Sequence, residues 1–221
     1  MRPFDLSRFG GRLRAYLSFL WADHAYLRLG FQNAHWVSPE LVRTNQPWPF
    51  QLSWWKRRGI KTVLNLRDQP QRADFVLEKD ACERLGLTFV NFVVASREAP
   101  TREQVLGAKR LFETIEYPCL MHCKSGADRV GVMSVLYAHF RLGLQMREAA
   151  RQLSFRYGHI RHGDTGVLDY VFERYLEEAD RTGESFEAWV SRPDYDRAKV
   201  KAAFSANWWG RVLTEKLLRR E

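Results

Sequence analysis

Between Leu120 and Gly131 the chain reads LMHCKSGADRVG, with Cys123 beside His122, Gly126 three residues after the cysteine and Arg129 three residues after that. A thiol attacks well only as thiolate, and nearby positive charge or a helix N-terminus favours that form. Gly126 permits a tight turn, so the backbone N–H groups of Lys124, Ser125, Gly126, Ala127, Asp128 and Arg129 can point inward and form a nest for an anion. The planar fork of Arg129 can fold back and grip two phosphate oxygens at once, which a lysine cannot do. His122 suits a supporting role, holding the loop and tuning the sulfur, better than that of a base. The chemistry implied is nucleophilic displacement at phosphorus, where positioning and charge stabilisation do most of the work. The alternative is an inert cysteine closing a buried strand.

These residues need a strand before them and a helix after them. CLMHC, from Cys119 to Cys123, is a short apolar run, and Val130 to Leu142 is a strongly apolar helical segment. Upstream, Lys61 to Leu66 (KTVLNL) and Leu87 to Val94 (LTFVNFVV) read as strands from their β-branched and aromatic content. A helix from about Ala73 to Leu85, stopped by Gly86, separates them. Thr101 followed by Gln104 is a capping-box start for a helix reaching about Glu116, which Pro118 ends. This alternation predicts an α/β fold with a mostly parallel central sheet flanked by helices. In such sheets a ligand sits beyond the carboxyl ends of the strands, at the N-terminus of the next helix, which is where Cys123 falls.

The pattern H-C-x-x-G-x-x-R at a strand-to-helix junction resembles the signature loop of the cysteine-dependent protein tyrosine phosphatase superfamily, with the dual-specificity phosphatases nearest among its branches. The resemblance runs from about Trp36 to Leu176, and KTVLNLRD is similar to the strand that opens that domain. It implies a phosphatase-like fold of the dual-specificity type with helical extensions at both ends: an amphipathic extension at 1–34, the phosphatase domain at 35–180 and a packed helical extension at 181–221. It also implies phosphate monoester hydrolysis through a phosphocysteine on Cys123, with Arg129 and the amides of 124–129 binding the phosphate, and neither cofactor nor metal. Phosphorylated protein is the substrate class expected from the resemblance. A phospholipid, phosphoinositide or inositol phosphate is the alternative.

Two positions depart from the family pattern. Val130 stands where many relatives carry a hydroxyl that helps the thiolate leave, so slower breakdown of the phosphoenzyme is expected. The general acid, often an aspartate about thirty residues before the cysteine, has no counterpart in NFVVASREAPT (Asn91 to Thr101), where Glu98 is the only acid. Asp128 competes with Glu98, since some lipid-directed relatives are similar in carrying an aspartate there. Its other reading is a helix N-cap. Asp68 in NLRD is a third choice and reads more naturally as a turn residue.

The chain has 221 residues, 45% of them apolar, enough for one sizeable core, and a formal charge of +9. Up to Lys61 ten Lys and Arg stand against Asp5, Asp23 and Glu40, a local +7 that favours anionic partners. Leu13, Tyr16, Leu17, Leu20, Trp21, His24 and Leu27 recur at helical spacing. They read as a helix packed on the domain, or alternatively as a segment touching an anionic membrane. Pro39 to Trp55 is loop-rich, with a short helix near Phe50, and further helices fall near Met146 to Ser154, Thr165 to Asp180 and Asp194 to Arg220.

Cys82, Cys119 and Cys123 form no CxxC pair, so neither a disulfide framework nor a zinc site is expected, and a resolving disulfide would need a bend. His159 and His162 in YGHIRHGDTG are too few for a metal site. Trp54-Trp55 and Trp208-Trp209 read as core or interface, and no nucleic-acid motif accompanies them. No leader or spanning segment is evident, so the protein is expected to be soluble and cytoplasmic, with peripheral membrane contact as the alternative. Lys124 is either a rim charge for a multiply phosphorylated substrate or a solvated lysine. A non-catalytic phosphate-binding module and a sulfurtransferase are the rival classes; the retained Cys123 and Arg129 oppose the first, and the Arg129 spacing opposes the second.

Overall fold

A five-stranded sheet in the order β1-β2-β5-β3-β4 carries the fold: β1 His35–Ser38, β2 Leu41–Thr44, β3 Thr62–Asn65, β4 Thr88–Asn91 and β5 Cys119–His122. The computed structural model describes residues 4–205. β2, β5, β3 and β4 run parallel, and only β1 is antiparallel, to β2, so the sheet is mixed and mostly parallel. Every residue of β2, β3 and β5 is buried, the polar Arg43, Thr44, Thr62, Asn65 and His122 included.

Register explains the site's location. Thr44, His122 and Asn65 lie side by side at the carboxyl ends of β2, β5 and β3, on the face that also carries Val42, Leu120 and Val63. Those three pack with Leu52 and Trp55 of α2 (Pro49–Arg57) and with Ala81 and Cys82 of α3 (Ala73–Leu85). Gly86, at φ 62°, ends α3 in the left-handed conformation that Cβ-bearing residues avoid. The chain divides into two compact units, one of residues up to Val94 plus Thr114–Val130, the other of Ala95–Glu113 and everything from Gly131 on. The sheet and α1 (Phe9–Ala22), α2 and α3 belong to the first. The second holds most of α4 (Arg102–Thr114) and of α5 (Asp128–Phe140), then α6 (Met146–Ala149), α7 (Val167–Thr182) and α8 (Phe186–Val190). Thr101 and Gln104 exchange both bonds of the expected capping box ahead of α4.

Several expectations need correction. The stretch after Pro39 is not only loop and helix: Leu41–Thr44 forms β2, a four-residue strand too short for its alternation to stand out. The N-terminal helix stops at Ala22, because His24 takes a left-handed φ of 54° before a 3₁₀ turn at Ala25–Arg28. Its buried residues are Ala15 and Phe19, while Leu13, Leu17 and Trp21 face outward. α5 begins two residues early, at Asp128. The helix expected at Met146–Ser154 is one α turn followed by 3₁₀ turns at Ala150–Gln152 and Phe155–Tyr157, and α8 was not anticipated. Residues 197–205 are helical, and the rest of the expected C-terminal helix, with Trp208-Trp209, lies outside the described residues. Trp54 and Trp55 pack edge to face at 4.6 Å, with Trp55 in the core and Arg58 over the Trp54 ring.

Candidate active site

β5 ends at His122, and the chain turns sharply through 123–127 into α5. Cys123 is buried at the base of this turn, and the N–H of Gly126 donates to its Sγ at 3.3 Å. Gly126 has φ +76°, and a Cβ there would lie 2.8 Å from both Asn45 N and Thr44 C and 3.0 Å from Asn33 Nδ2. Both the dihedral and the crowding demand glycine.

The loop is held from behind. The Gln46 N–H donates to Lys124 O at 3.3 Å, Asn33 Nδ2 to Ser125 O at 3.0 Å, and Arg43 Nη2 to Gly126 O and Ala127 O at 3.1 and 3.2 Å. In a planar trans peptide the C=O and N–H point in opposite directions. Capturing these four carbonyls on one side therefore turns the amides of Ser125, Gly126, Ala127 and Asp128 to the other. Successive inward amides at a helix start make an anion-binding concavity. Arg129 lies in the first turn of α5, half-buried, and Asp128 is its first residue. The structure thus brings together Cys123, the amides of 125–128, Asp128 and Arg129 around one turn.

His122 is fully buried, with Nδ1 3.4 Å from Cys123 O and Nε2 2.6 Å from Glu78 Oε1. The latter is a close polar contact without hydrogen-bond alignment. Glu78, on α3, also accepts from Asn65 Nδ2 at 2.8 Å, and Asn65 Oδ1 accepts the Arg67 N–H at 2.7 Å. The sequence reading overlooked Glu78, although α3 delivers it to the carboxyl ends of β3 and β5.

It also overlooked an ionic cluster beside the loop. Asp23, 1% exposed, accepts a two-pronged contact from Arg67 (2.8 and 3.1 Å), a further bond from Arg72 at 2.8 Å and a close bond from Arg28. Lys124 Nζ lies 3.5 Å from its Oδ1. Asp74 pairs with Arg67 at 2.7 Å and with Arg72 at 3.0 Å. Burial would raise the Asp23 carboxyl, but Arg67, with Arg28 and Lys124, outweighs burial and holds it at about 2. Asp23 is therefore a fixed anion that orients the cations and does not donate protons. Four cations against two carboxylates leave the neighbourhood of the loop positive. Lys124 is neither simply solvated nor simply a rim charge, since its ammonium is tethered to Asp23. The available signals were one of only three acids in the basic stretch up to Lys61 and an arginine just beyond a strand's carboxyl end.

Glu98 is ion-paired with Arg197 at 3.1 Å and Lys201 at 3.8 Å, within the second unit. Asp68 is exposed. His159 is buried against Asp169 at 2.7 Å, whereas His162 is exposed. Cys82 and Cys119 are free and buried, and burial drives both thiols well above the ordinary cysteine range.

Residues 35–162 match the family model described as DSP-PTPase phosphatase fused to NAD+ Kinase. A Beta-lactamase hydrolase-like protein of Xylella fastidiosa strain 9a5c is 27% identical over 164 residues, covering 72% of this chain and 36% of that protein. The same-named protein of strain Temecula1 is 30% identical over 93 residues, covering 41% and 21%. The chain thus spans little more than a third of the longer match. Among solved structures, Pseudomonas aeruginosa TpbA superposes with TM-score 0.52 at 20% identity over 69% of this chain and 88% of that one. Tk-PTP in its active form gives 0.53 at 20% identity over 67% and 98%. These likenesses concern the fold. With more than half of its length matched to the family model, the chain belongs to the DSP-PTPase family, within the superfamily of cysteine-dependent phosphatases.

Proposed function

We propose that the protein hydrolyses phosphate monoesters through a phosphocysteine on Cys123. The observation carrying this reading is the capture of four consecutive carbonyls behind the loop, which aims the amides of 125–128 at one anion beside Sγ. Cys123 Sγ attacks phosphorus; an S–P bond forms and the bond from phosphorus to the ester oxygen breaks. The amides and Arg129 hold the equatorial oxygens, and Asp128 at the helix start gives the leaving oxygen its proton. Water then cleaves the S–P bond, releasing phosphate and restoring the thiolate, while the Asp128 carboxylate takes up the proton.

Phosphotyrosine or mixed phosphoprotein is the first substrate reading, from the family's dual-specificity character. A phosphorylated lipid is the second, favoured by the exposed apolar residues of α1. A panel of phosphotyrosine peptides, phosphoinositides and lipid phosphates, assayed with and without chelator, ranks the two. Cys123→Ser is expected to abolish turnover on every substrate, and its retention of activity, or loss of wild-type activity to EDTA, overturns the mechanism. Asp128→Asn is expected to erase the basic limb of the pH–rate profile, whereas Glu98→Gln leaves it in place.

A further inference from the structure

Surface helices ordinarily turn polar residues to water, whereas among the exposed residues of α1 only Arg14 is polar. Its inward face is Ala15 and Phe19, packed with Ala25, Trp48, Ala73 and Leu77. Its outward face is also apolar: Phe9 is 84% exposed, Leu13 and Leu17 48% each, and Trp21 66%. Trp21 meets Tyr26 with ring centroids 5.9 Å apart, so the apolar surface continues beyond the helix, where Leu27, Leu29 and Phe31 are at least half exposed.

We infer that this face, from Phe9 to Phe31, docks the protein on an anionic lipid bilayer. The four-residue spacing of Phe9, Leu13, Leu17 and Trp21 advances the stripe about 40° per step, sweeping about 120° of the helix along about 18 Å. That is a broad face suited to lying in a surface, not the narrow seam of a coiled coil. No acid lies between Phe9 and Ala22; the charges there are Arg12, bonded to Asp80, and Arg14, whose guanidinium sits 5.3 Å from the Phe4 ring. Arg8, just before the helix, is exposed beside Asp5. Arg8, Arg12 and Arg14 against Asp5 and Asp80 leave the face a small positive excess, which anionic headgroups would complement and a second copy laid on it would not. Tryptophan and tyrosine at one end of the stripe suit the boundary between headgroups and acyl chains. α1 has 14 residues, too few to cross a bilayer, so the contact it makes is with one leaflet's surface.

The docking face is joined to the site. Two residues after Trp21, Asp23 reaches Arg67 and Lys124, the residue that follows the nucleophile. A bilayer contact would therefore hold the phosphate-binding turn close to headgroup phosphates. The inference is independent of which ester is cleaved.

The test is sedimentation of the full chain with phosphatidylcholine vesicles and with 7:3 phosphatidylcholine–phosphatidylglycerol vesicles. Wild type is expected to bind the anionic vesicles, more weakly in high salt and on neutral lipid. Leu13→Ser/Leu17→Ser/Trp21→Ser should lower the partition coefficient at least tenfold while keeping hydrolysis of a soluble aryl phosphate. If that triple variant fails to fold, Leu27→Ser/Phe31→Ser, outside the helix, should still weaken binding severalfold. Cys123→Ser should bind vesicles like wild type, which separates failure of this inference from failure of the catalytic reading. Wild type that ignores anionic vesicles, folded variants that bind as well as wild type, or a wild-type dimer that these substitutions dissociate without any vesicle binding would each overturn it.

Discussion

Arg43 never contacts substrate in the proposed mechanism, yet its replacement by methionine should cripple the enzyme. The side chain is fully buried on β2, and its Nη2 bonds the carbonyls of both Gly126 and Ala127. Without the guanidinium two buried acceptors lose their donor, at about 1–3 kcal/mol each, so stability should fall by up to about 2–6 kcal/mol. The chain recovers part of this by rotating the two peptide planes, and that rotation swings the amides of Ala127 and Asp128 away from the anion. Losing one preorganised donor costs about 10²–10³ in turnover, so kcat/KM on an aryl phosphate should fall at least about 10²-fold. Competitive inhibition by inorganic phosphate should weaken in parallel. Arg43→Lys should recover only part of the loss, because an ammonium lacks the reach and fork geometry of guanidinium. Steady-state kinetics, phosphate inhibition and a thermal melt on the same preparations make the case. A folded Arg43→Met protein with kcat/KM and phosphate inhibition within about twofold of wild type would refute the claim that the captured carbonyls orient the amides.

Gly126→Ala places a Cβ against backbone atoms of Thr44 and Asn45 and forces a left-handed φ on alanine, the latter alone worth about 1–2 kcal/mol; kcat/KM should drop about 10²-fold and the melting temperature should fall by at least about 2–8 °C. Asp23→Asn leaves Arg28 and Arg67 short of a buried counter-charge and should cost about 3–5 kcal/mol at pH 7 in denaturant titrations. Because the Asp23 carboxyl sits at about 2 when folded and near 4 when unfolded, its stabilisation is complete above about pH 5 and is lost progressively as pH falls towards about 1. Wild type should lose about 2.5 kcal/mol from this group across that interval, and Asp23→Asn should lose none of it. Val130→Thr supplies the hydroxyl missing after Arg129 and should speed phosphoenzyme breakdown; an unchanged burst amplitude in rapid-quench experiments would count against that role.

The nucleophilic turn was legible because its chemistry is local: Cys123, Gly126 and Arg129 lie within seven residues, between an apolar strand and an apolar helix. The strands β3 and β5 and the helix α3 were equally plain, being bounded by Gly59, Gly86 and Pro118. What escaped was whatever depends on distant pairing. β2 is four residues long and gains its identity only by pairing with β5. Asn33, Arg43, Gln46 and Glu78 look like ordinary polar residues until the sheet register sets them beside His122 and the turn. The face of α1 was assigned only in part: Tyr16 and Leu20 pack on the core as expected, but Leu13, Leu17 and Trp21 face outward, because with both sides apolar periodicity could not tell which one meets the core.

The donors that brace the turn come from far away along the chain: Asn33 is 92 residues from Ser125, and Arg43 is 83 and 84 residues from its two carbonyls. The signature sequence cut out as a peptide would therefore have no fixed affinity for phosphate. Competence would appear during folding only after a long loop has closed and β2 has paired with β5, among the slower kinds of event in a chain of this topology. Regain of phosphate affinity would thus serve as a clock for the last long-range step of folding.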